Sequence, residues 1–296
     1  MEDKVGVAII HYGDQDVTER CLSSLLSQID SSQIAIVANS PVERGHLHNA
    51  VILDQPTNEG YGAAVNAAAC FARGTGWKKI VITNNDVVFL PGSLSTLFSE
   101  IDDNGKQTVV APLILWGDSD KVWSYGGHIN KWRAIGLNGL KARPIPTCEV
   151  RNHMPVQTFV SGCCFGAPVD LLMQRPFDTQ YFLYYEDAKW CLELQSLPTV
   201  KVIVSKEAAI KHYPSSSTGI KTPLYLYYNT RNRMFFARAI GGIQGLIGFS
   251  YSVIGVFKNF AVQMIKGNKA GAYAAVRALK DFLRGRNGKV EMVGKS

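Results

Sequence analysis

Residues 79–86 read Lys79-Ile80-Val81-Ile82-Thr83-Asn84-Asn85-Asp86. An apolar, β-branched run that ends in two amides and an acid reads as a buried strand delivering polar side chains at its carboxyl end. Just upstream, Ala63 to Arg73 is Ala-rich and helical, with Gly74 and Gly76 as stop signals. Farther upstream, residues 5–10, 34–37 and 51–53 read as strands. Residues 17–28 read as a helix carrying Cys21, Leu22, Leu25, Leu26 and Ile29 on one face. Downstream, Pro91-Gly92-Ser93 opens another helix and Val109 to Ala111 is a fifth strand. Strands alternating with helices through residue 111 predict an α/β fold, with a mostly parallel sheet and helices on both faces. Ligands of such sheets bind beyond the carboxyl ends of the strands, so Asn39, Asn58 and Asp86 are expected along one edge.

The chain has 296 residues, enough to bury a large core. Its 46% apolar and 19% charged content is that of a globular protein and argues against disorder. No signal peptide is expected, because Val5 to Ile10 is short, follows Glu2-Asp3-Lys4 and reads as the first strand. The six cysteines form no CxxC pair and no Cys/His cluster with zinc spacing, so reduced cysteines in a cytosolic protein are expected. Residues 116–160 interleave Trp116, Trp123, Tyr125 and Trp132 with glycines and predict loops or short antiparallel strands. Residues 224–238 predict a helix with Arg231, Arg233 and Arg238.

Two parts are expected, a catalytic domain over 1–238 and a basic helical segment over 239–296. The net charge is +7, and residues 241–296 hold nine basic and two acidic side chains, so the whole excess lies there. Ala239 to Phe257 carries no charge. Its small residues Gly241, Gly245, Gly248, Ser252 and Gly255 form one stripe on a helix, which permits close approach of another helix. A second helix near 270–284 puts Arg277, Lys280 and Arg284 on one side. This pattern fits an amphipathic hairpin lying on an anionic membrane surface. Packing in a homo-oligomer and a true span are the alternatives. Nucleic acid is not expected, because the tail's aromatics sit at core-like spacing and not as stacking platforms between basic residues.

Four motifs carry chemistry. Asn58-Glu59-Gly60-Tyr61-Gly62 is a Gly-rich turn before a helix, whose free amides can face an anion; a bare turn is the alternative. Asn84-Asn85-Asp86 can hold a divalent ion that bridges phosphates, or form an Asx turn. Glu186-Asp187 follows the aromatic run Tyr181-Phe182-Leu183-Tyr184-Tyr185. These acids can serve a helix N-terminus, or Asp187 can act as general base. His212, after Lys211 and before the polar loop Ser215 to Gly219, can be a metal ligand, a phosphate contact or a core histidine.

In order along residues 5–238, several of these motifs together resemble the family 2 glycosyltransferases, most closely their bacterial rhamnosyltransferase-like branch. They are Asn58-x-Gly60-Tyr61-Gly62-x-x-x-Asn66, Asn84-Asn85-Asp86, Ser161-Gly162, Phe177-Asp178, Phe182 to Asp187, Lys211-His212 and Tyr228-Asn229-x-Arg231-Asn232. The resemblance implies a GT-A fold, a nucleotide-sugar donor, Mg²⁺ or Mn²⁺, and inversion at the anomeric carbon. It implies that Asp86 ligates the ion with help from His212, and that Asp187 of the Glu186-Asp187 pair is the base. Ser40, Asn58, Gly60, Tyr61, Asn66, Asn84, Asn85 and Arg231 are then expected around the donor. The implied donor is dTDP-rhamnose, with a UDP-sugar as runner-up, and the implied acceptor is a lipid-linked saccharide. The expected location is the cytoplasmic face of the plasma membrane, as a peripheral protein.

Overall fold

The computed structural model describes residues 4–101, 107–145, 157–214 and 222–291. Among them, nine strands form one sheet in the order β3-β2-β1-β4-β10-β6-β11-β5, with β7 paired to β6. The first four strands are β1 (Val5–His11), β2 (Ile34–Ala38), β3 (Val51–Asp54) and β4 (Lys79–Asn84). They are parallel, as the sequence predicts. Helix α1 (Gln15–Leu26) starts at Asp14, whose carboxylate caps the Asp16 N–H at 3.0 Å. Helix α2 is Tyr61–Gly74 and helix α3 is Ser93–Ile101.

Alternation along the strands sorts these helices. Val7, Ile9, Ile34, Ile36 and Val81 face one side and pack with Cys21, Leu22, Leu25, Leu94 and Leu97 of α1 and α3. Ala8, Ile10, Ala35, Val37, Ile80 and Ile82 face the other and pack with Ala64, Val65, Ala68 and Ala72 of α2. Small side chains on both partners let α2 lie close to the sheet.

The second half of the sheet is more mixed than the sequence predicts. Strand β6 (Gln107–Trp116) does not pair with β4, because β10 (Cys164–Pro168) lies between them and runs antiparallel to both. Strand β11 (Val200–His212) runs parallel to β6 with a register shift between Val204 and Ala209. It then pairs antiparallel with β5 (Val87–Phe89), which sets His212 opposite Val87. The short strands expected within 116–160 are β7 (Val122–Ser124), β8 (Gly127–Asn130) and β9 (Ile135–Asn138). Helices α4 (Val169–Gln174) and α5 (Glu186–Leu194) follow β10.

Three mutually packed helices close the described chain: α6 (Pro223–Ile240), α7 (Gly242–Ile265) and α8 (Lys269–Leu283). Thr222 caps α6 by accepting the Tyr225 N–H at 3.1 Å, and Pro223 takes the first position, where no N–H is needed. Gly241 and Gly242, at φ 66° and 55°, break the chain between α6 and α7. The uncharged run beginning at Ala239 therefore spans a helix end, a corner and a helix start. Its small-residue stripe is used within the chain. A Cβ on Gly245 would lie 2.5 Å from the Ala237 carbonyl, and one on Gly248 would lie 2.9 Å from the Ala134 Cβ. That face is thus not free to pack against a second copy. Phe282 of α8 packs on Phe235 and Phe249, with ring centroids 5.0 and 5.4 Å apart.

Candidate active site

The carboxyl end of β4 and the end of β11 meet at Asp86. The Tyr213 N–H donates to the Asp86 carbonyl at 2.8 Å, continuing the β5–β11 ladder by one step. This brings His212 Nε2 to 3.2 Å from Asp86 Oδ1, with both side chains largely buried. The His212 ring meets the Trp123 ring edge-on at 4.6 Å between centroids. Among the described residues no cluster of three His, Cys, Asp or Glu side chains could hold a metal. The protein therefore offers a pair of ligands, which suits a hard cation that takes its other oxygens from phosphate and water. Asp86 fits that role. His212 fits it less well, because its Nδ1 is buried without a hydrogen-bond partner. Metal-bound imidazoles ordinarily donate that N–H to an acceptor.

The second acid site begins one strand away. The Asn84 N–H donates to the Cys163 carbonyl at 2.9 Å, and burial together with the charge of Asp86 pushes the Cys163 thiol up. One residue earlier, the Gly162 N–H donates to Asp187 Oδ2 at 3.0 Å. Ser161 to Cys163 thus forms the short bridge between Asn84, two residues before Asp86, and Asp187. The Gly162 carbonyl accepts from the Tyr61 hydroxyl, and burial beside Glu186 and Asp187 pushes that hydroxyl far up.

Glu186 and Asp187 open α5. Burial, then the charge of Asp187, pushes Glu186 up to about 8. Burial also raises Asp187, against the pull of its N–H donors. The two environments differ. Asp187 accepts from the N–H groups of Gly162 at 3.0 Å and Ala188 at 2.7 Å, whereas Glu186 Oε2 is buried without a hydrogen-bond partner. The proton that the pair retains therefore rests on Glu186, and Asp187 is the carboxylate.

The aromatic run before these acids is strained. Phe182, Tyr184 and Tyr185 have φ of 58°, 66° and 75°. Asn232 on α6, wholly buried, donates from Nδ2 to the carbonyls of Tyr181 (2.6 Å), Leu183 (2.8 Å) and Tyr184 (2.9 Å). Gly60 supports the same loop from α2. A Cβ there would lie 2.1 Å from the Phe182 oxygen, and φ is 97°. The Tyr61 N–H donates to that oxygen at 3.1 Å.

The remaining predicted residues divide. Ser40 follows β2, accepting from the Gly13 N–H and bonding His11 Nε2, both at 2.9 Å. Asn58 closes an Asx turn on the Gly60 N–H at 2.9 Å, and Asn84 ends β4 half-buried. Three predicted donor contacts are structural instead. Asn66 uses both ends of its amide on the Phe177 backbone, at 2.9 and 2.8 Å. Asn85 is buried and donates to Tyr12 and Thr18. Arg231 is wholly buried and donates to Asn232, Tyr227 and the Gly288 carbonyl. The predicted polar loop Ser215 to Gly219 lies outside the described residues. Sequence reasoning missed His11 and Asn232 as site supports. His11 is the one polar residue closing an apolar strand, a usable signal. Asn232 was visible only as part of a motif.

Residues 6–174 match the family described as Glycosyl transferase family 2, which is more than half of the chain. The chain belongs to glycosyl transferase family 2. Curated protein sequences return no match. Solved structures similar to this family 2 chain are glycosyltransferases. GalNAc-T7 with UDP, GalNAc and Mn²⁺ has a TM-score of 0.59 at 11% identity over 96% of this chain. This chain spans only 58% of that protein's length. Mannosyltransferase PcManGT from Pyrobaculum calidifontis, with GDP-Man and Mn²⁺, has 0.56 at 11% identity, covering 97% of this chain and 88% of its own. Residues 1–349 of TarS from S. aureus have 0.54 at 13% identity, covering 96% and 81%. Likeness at this identity shows a shared GT-A fold.

Proposed function

We propose that this family 2 member is an inverting glycosyltransferase that moves a sugar from a nucleoside-diphosphate donor to an alcohol. The observation that carries this reading is the bridge Ser161 to Cys163, which ties Asn84 at the end of β4, two residues before Asp86, to Asp187 at the start of α5. Asp187, ionised and held by two N–H donors, takes the acceptor's proton as its oxygen attacks the anomeric carbon from the side opposite the nucleotide. The nucleoside diphosphate leaves with the bonding electron pair. Asp86, with His212 beside it, would hold Mg²⁺ or Mn²⁺, which supplies positive charge against the departing diphosphate. Ser40 and Asn58, on the loops after β2 and β3, face the nucleoside. The donor is dTDP-rhamnose, the sugar to which the sequence resemblance points. The GDP-Man and UDP-GlcNAc bound to similar structures make the nucleotide itself the first thing to test.

The acceptor is a lipid-linked saccharide, and the protein works peripherally on the cytoplasmic face of the plasma membrane. Supporting this is an apolar face on α7, where Ile243, Leu246, Ile254, Phe257, Met264 and Ile265 are each at least 46% exposed. The helix is long and apolar enough to cross a membrane by length and composition. Its inner stripe nevertheless packs on the protein, and Lys258, Lys266 and Lys269 stand exposed along and beyond its end. An interfacial position satisfies both faces. A thermal-shift panel of dTDP-rhamnose, UDP-hexoses and GDP-mannose, with and without Mn²⁺, tests the reading. A shift with one nucleotide-sugar that grows with Mn²⁺ is expected, and no shift with any of them overturns it.

A further inference from the structure

Beyond the acid pair, the described chain folds its last residues into a second cationic site. Residues 284–291 return across α6 and α8, pinned at Gly288. Its N–H donates to the Gln180 carbonyl at 2.6 Å, and its carbonyl accepts from Arg231 at 2.9 Å. The Tyr228 hydroxyl bonds the Val290 backbone N–H at 3.0 Å. A cavity of about 560 Å³ results, lined by Arg277, Arg286, Asn287, Lys289 and Glu291. Beneath it lies Asp281, which is buried and accepts from Tyr227 at 2.9 Å. Asp281 pairs with Arg277 at 3.3 Å and Arg286 at 3.5 Å.

The charges do not cancel. Arg277, Arg286 and Lys289 face Glu291 on the cavity wall and Asp281 beneath it, an excess of one positive charge. Asp281 orients the two guanidinium groups, and Arg277 also donates from Nη2 to the Glu291 carbonyl at 2.8 Å, so the exposed Arg286 and Lys289 carry most of the donor capacity left for a ligand. Two forked cations and a lysine converging on a cavity suit tetrahedral oxyanions, which guanidinium binds bidentately.

Position narrows the ligand. Gln180 belongs to the turn Thr179–Tyr181, directly before the strained loop that leads into Glu186 and Asp187. The Lys289 ammonium lies 6.0 Å from the Phe182 ring of that loop. On the other side, exposed Leu283 (70%) ends α8 two residues before Gly285 of the cavity rim. Tyr273 and Val276 of the same helix are also exposed. A phosphate-bearing group with an apolar tail meets both requirements: oxyanions in the cavity and a hydrocarbon chain on the outer helices.

We infer that the Arg277–Arg286–Lys289 cavity binds the diphosphate of a prenyl-diphosphate-linked acceptor. The cavity holds that acceptor's charged end beside the loop that carries the catalytic acids. This inference rests on the lipid-linked acceptor of the proposed function. It is tested by binding alone, so that it stands apart from turnover.

Full-length protein is floated with neutral phosphatidylcholine vesicles, either plain, doped with a prenyl diphosphate, or doped with phosphatidylglycerol at matched charge. Soluble pyrophosphate is added as competitor. The wild type is expected to favour the prenyl-diphosphate vesicles about tenfold over the phosphatidylglycerol vesicles, with pyrophosphate removing the preference. Arg286→Gln/Lys289→Gln, both at exposed positions, is expected to abolish it, and Arg286→Lys/Lys289→Arg to restore part of it. Equal binding to both anionic vesicles, a preference that survives in the double Gln variant, or binding of pyrophosphate without the vesicle preference would each overturn the inference. Donor binding by the same wild-type sample, followed by thermal shift, reports on the glycosyltransferase reading separately.

Discussion

Gly162 holds Asp187 through its N–H at 3.0 Å while its own carbonyl accepts from Tyr61. One residue therefore fixes Asp187 and ties it to the helix that follows the Gly-rich turn. The same residue sits next to Cys163, whose carbonyl receives the Asn84 N–H. Residues 161–163 thus hold Asp187 directly and meet the chain that leads to Asp86 at Asn84, while the Tyr213 N–H holds Asp86 itself.

Asp187→Asn keeps the size and one of the two N–H contacts, those of Gly162 and Ala188, because its amide has a single acceptor oxygen, and it cannot take a proton from an alcohol. Turnover is expected to fall by about 10²–10⁴-fold, the ordinary loss for a general base. Nucleotide-sugar affinity should stay within about twofold, because the donor side rests on Asp86 and the strand ends. Steady-state kinetics with calorimetric donor binding checks both halves. Equal loss of binding and turnover would move Asp187 from chemistry to architecture.

Glu186 makes a prediction about pH. Its folded-state value is raised to about 8 from an ordinary 4.5, by burial first and by Asp187 second. Between those values the folded protein keeps a proton that the unfolded chain has released. The stability contributed by this group is therefore full below about 4.5 and is lost as pH rises toward 8. Glu186→Gln removes that slope. Denaturant melts at pH 6 and pH 9 should show a larger drop in the wild type than in the variant, and parallel drops would contradict the burial argument.

The first half of the sheet was legible because each signal was local. The apolar strands, the Ala-rich α2 and the glycine stops all follow from spacing along one segment. The insertion of β10 between β4 and β6 was not legible, because Cys164 to Pro168 carries no mark of which strands it joins. Asp86, Asp187 and His212 stood out because an acid after a strand, a carboxylate pair after an aromatic run and a histidine before a polar loop are chemically conspicuous. Arg231 stood out for the same reason and misled. Its charge is spent on the neighbouring Tyr227 and Asn232 and on the returning Gly288, 57 residues away, a partner that no local pattern shows. Asn66 and Asn85 misled similarly, since an amide that braces a distant backbone looks the same in sequence as one that meets a ligand.

Asn232 holds three carbonyls of a loop whose φ values are unfavourable at Phe182, Tyr184 and Tyr185. Each such residue costs on the order of 1–3 kcal/mol and persists only while its surroundings hold it. In Asn232→Ala the loop is expected to relax, with a stability loss of about 1–3 kcal/mol for the orphaned carbonyls. The more telling result is kinetic: kcat falls at least about tenfold while the donor KM changes little, since the loop carries Glu186 and Asp187. A rise in donor KM with kcat intact would place the loop on the nucleotide side.

Asp86 and His212 make unequal predictions for the metal. Asp86→Asn removes the charge that attracts a hard cation, and the Mn²⁺-dependent part of the donor thermal shift should vanish. His212→Ala should only weaken it, because the Nδ1 of that ring has no acceptor to support metal ligation through Nε2. Manganese titrations of both variants in the presence of nucleoside diphosphate distinguish them, and the reverse order would make His212 the principal ligand.

The proposed membrane location rests on the outer face of α7. Ile254 and Phe257 are 63% and 64% exposed and adjacent on the helix surface. Burying a side chain of this size fully in hydrocarbon is worth about 1.5–3 kcal/mol. Ile254→Ser/Phe257→Ser should therefore lower partitioning onto vesicles containing anionic lipid by more than about tenfold. Folding should be spared, since the inward stripe of Gly245, Gly248 and Ser252 is untouched. Salt should act independently, because the flanking Lys258, Lys266 and Lys269 contribute by Coulomb attraction that a Debye length of about 8 Å at physiological ionic strength screens. Flotation of wild type and variant at low and high salt separates the two contributions. Partitioning that is lost with salt but indifferent to the double substitution would mean that α7 rides above the lipid, and that the basic residues alone bring the enzyme to its acceptor.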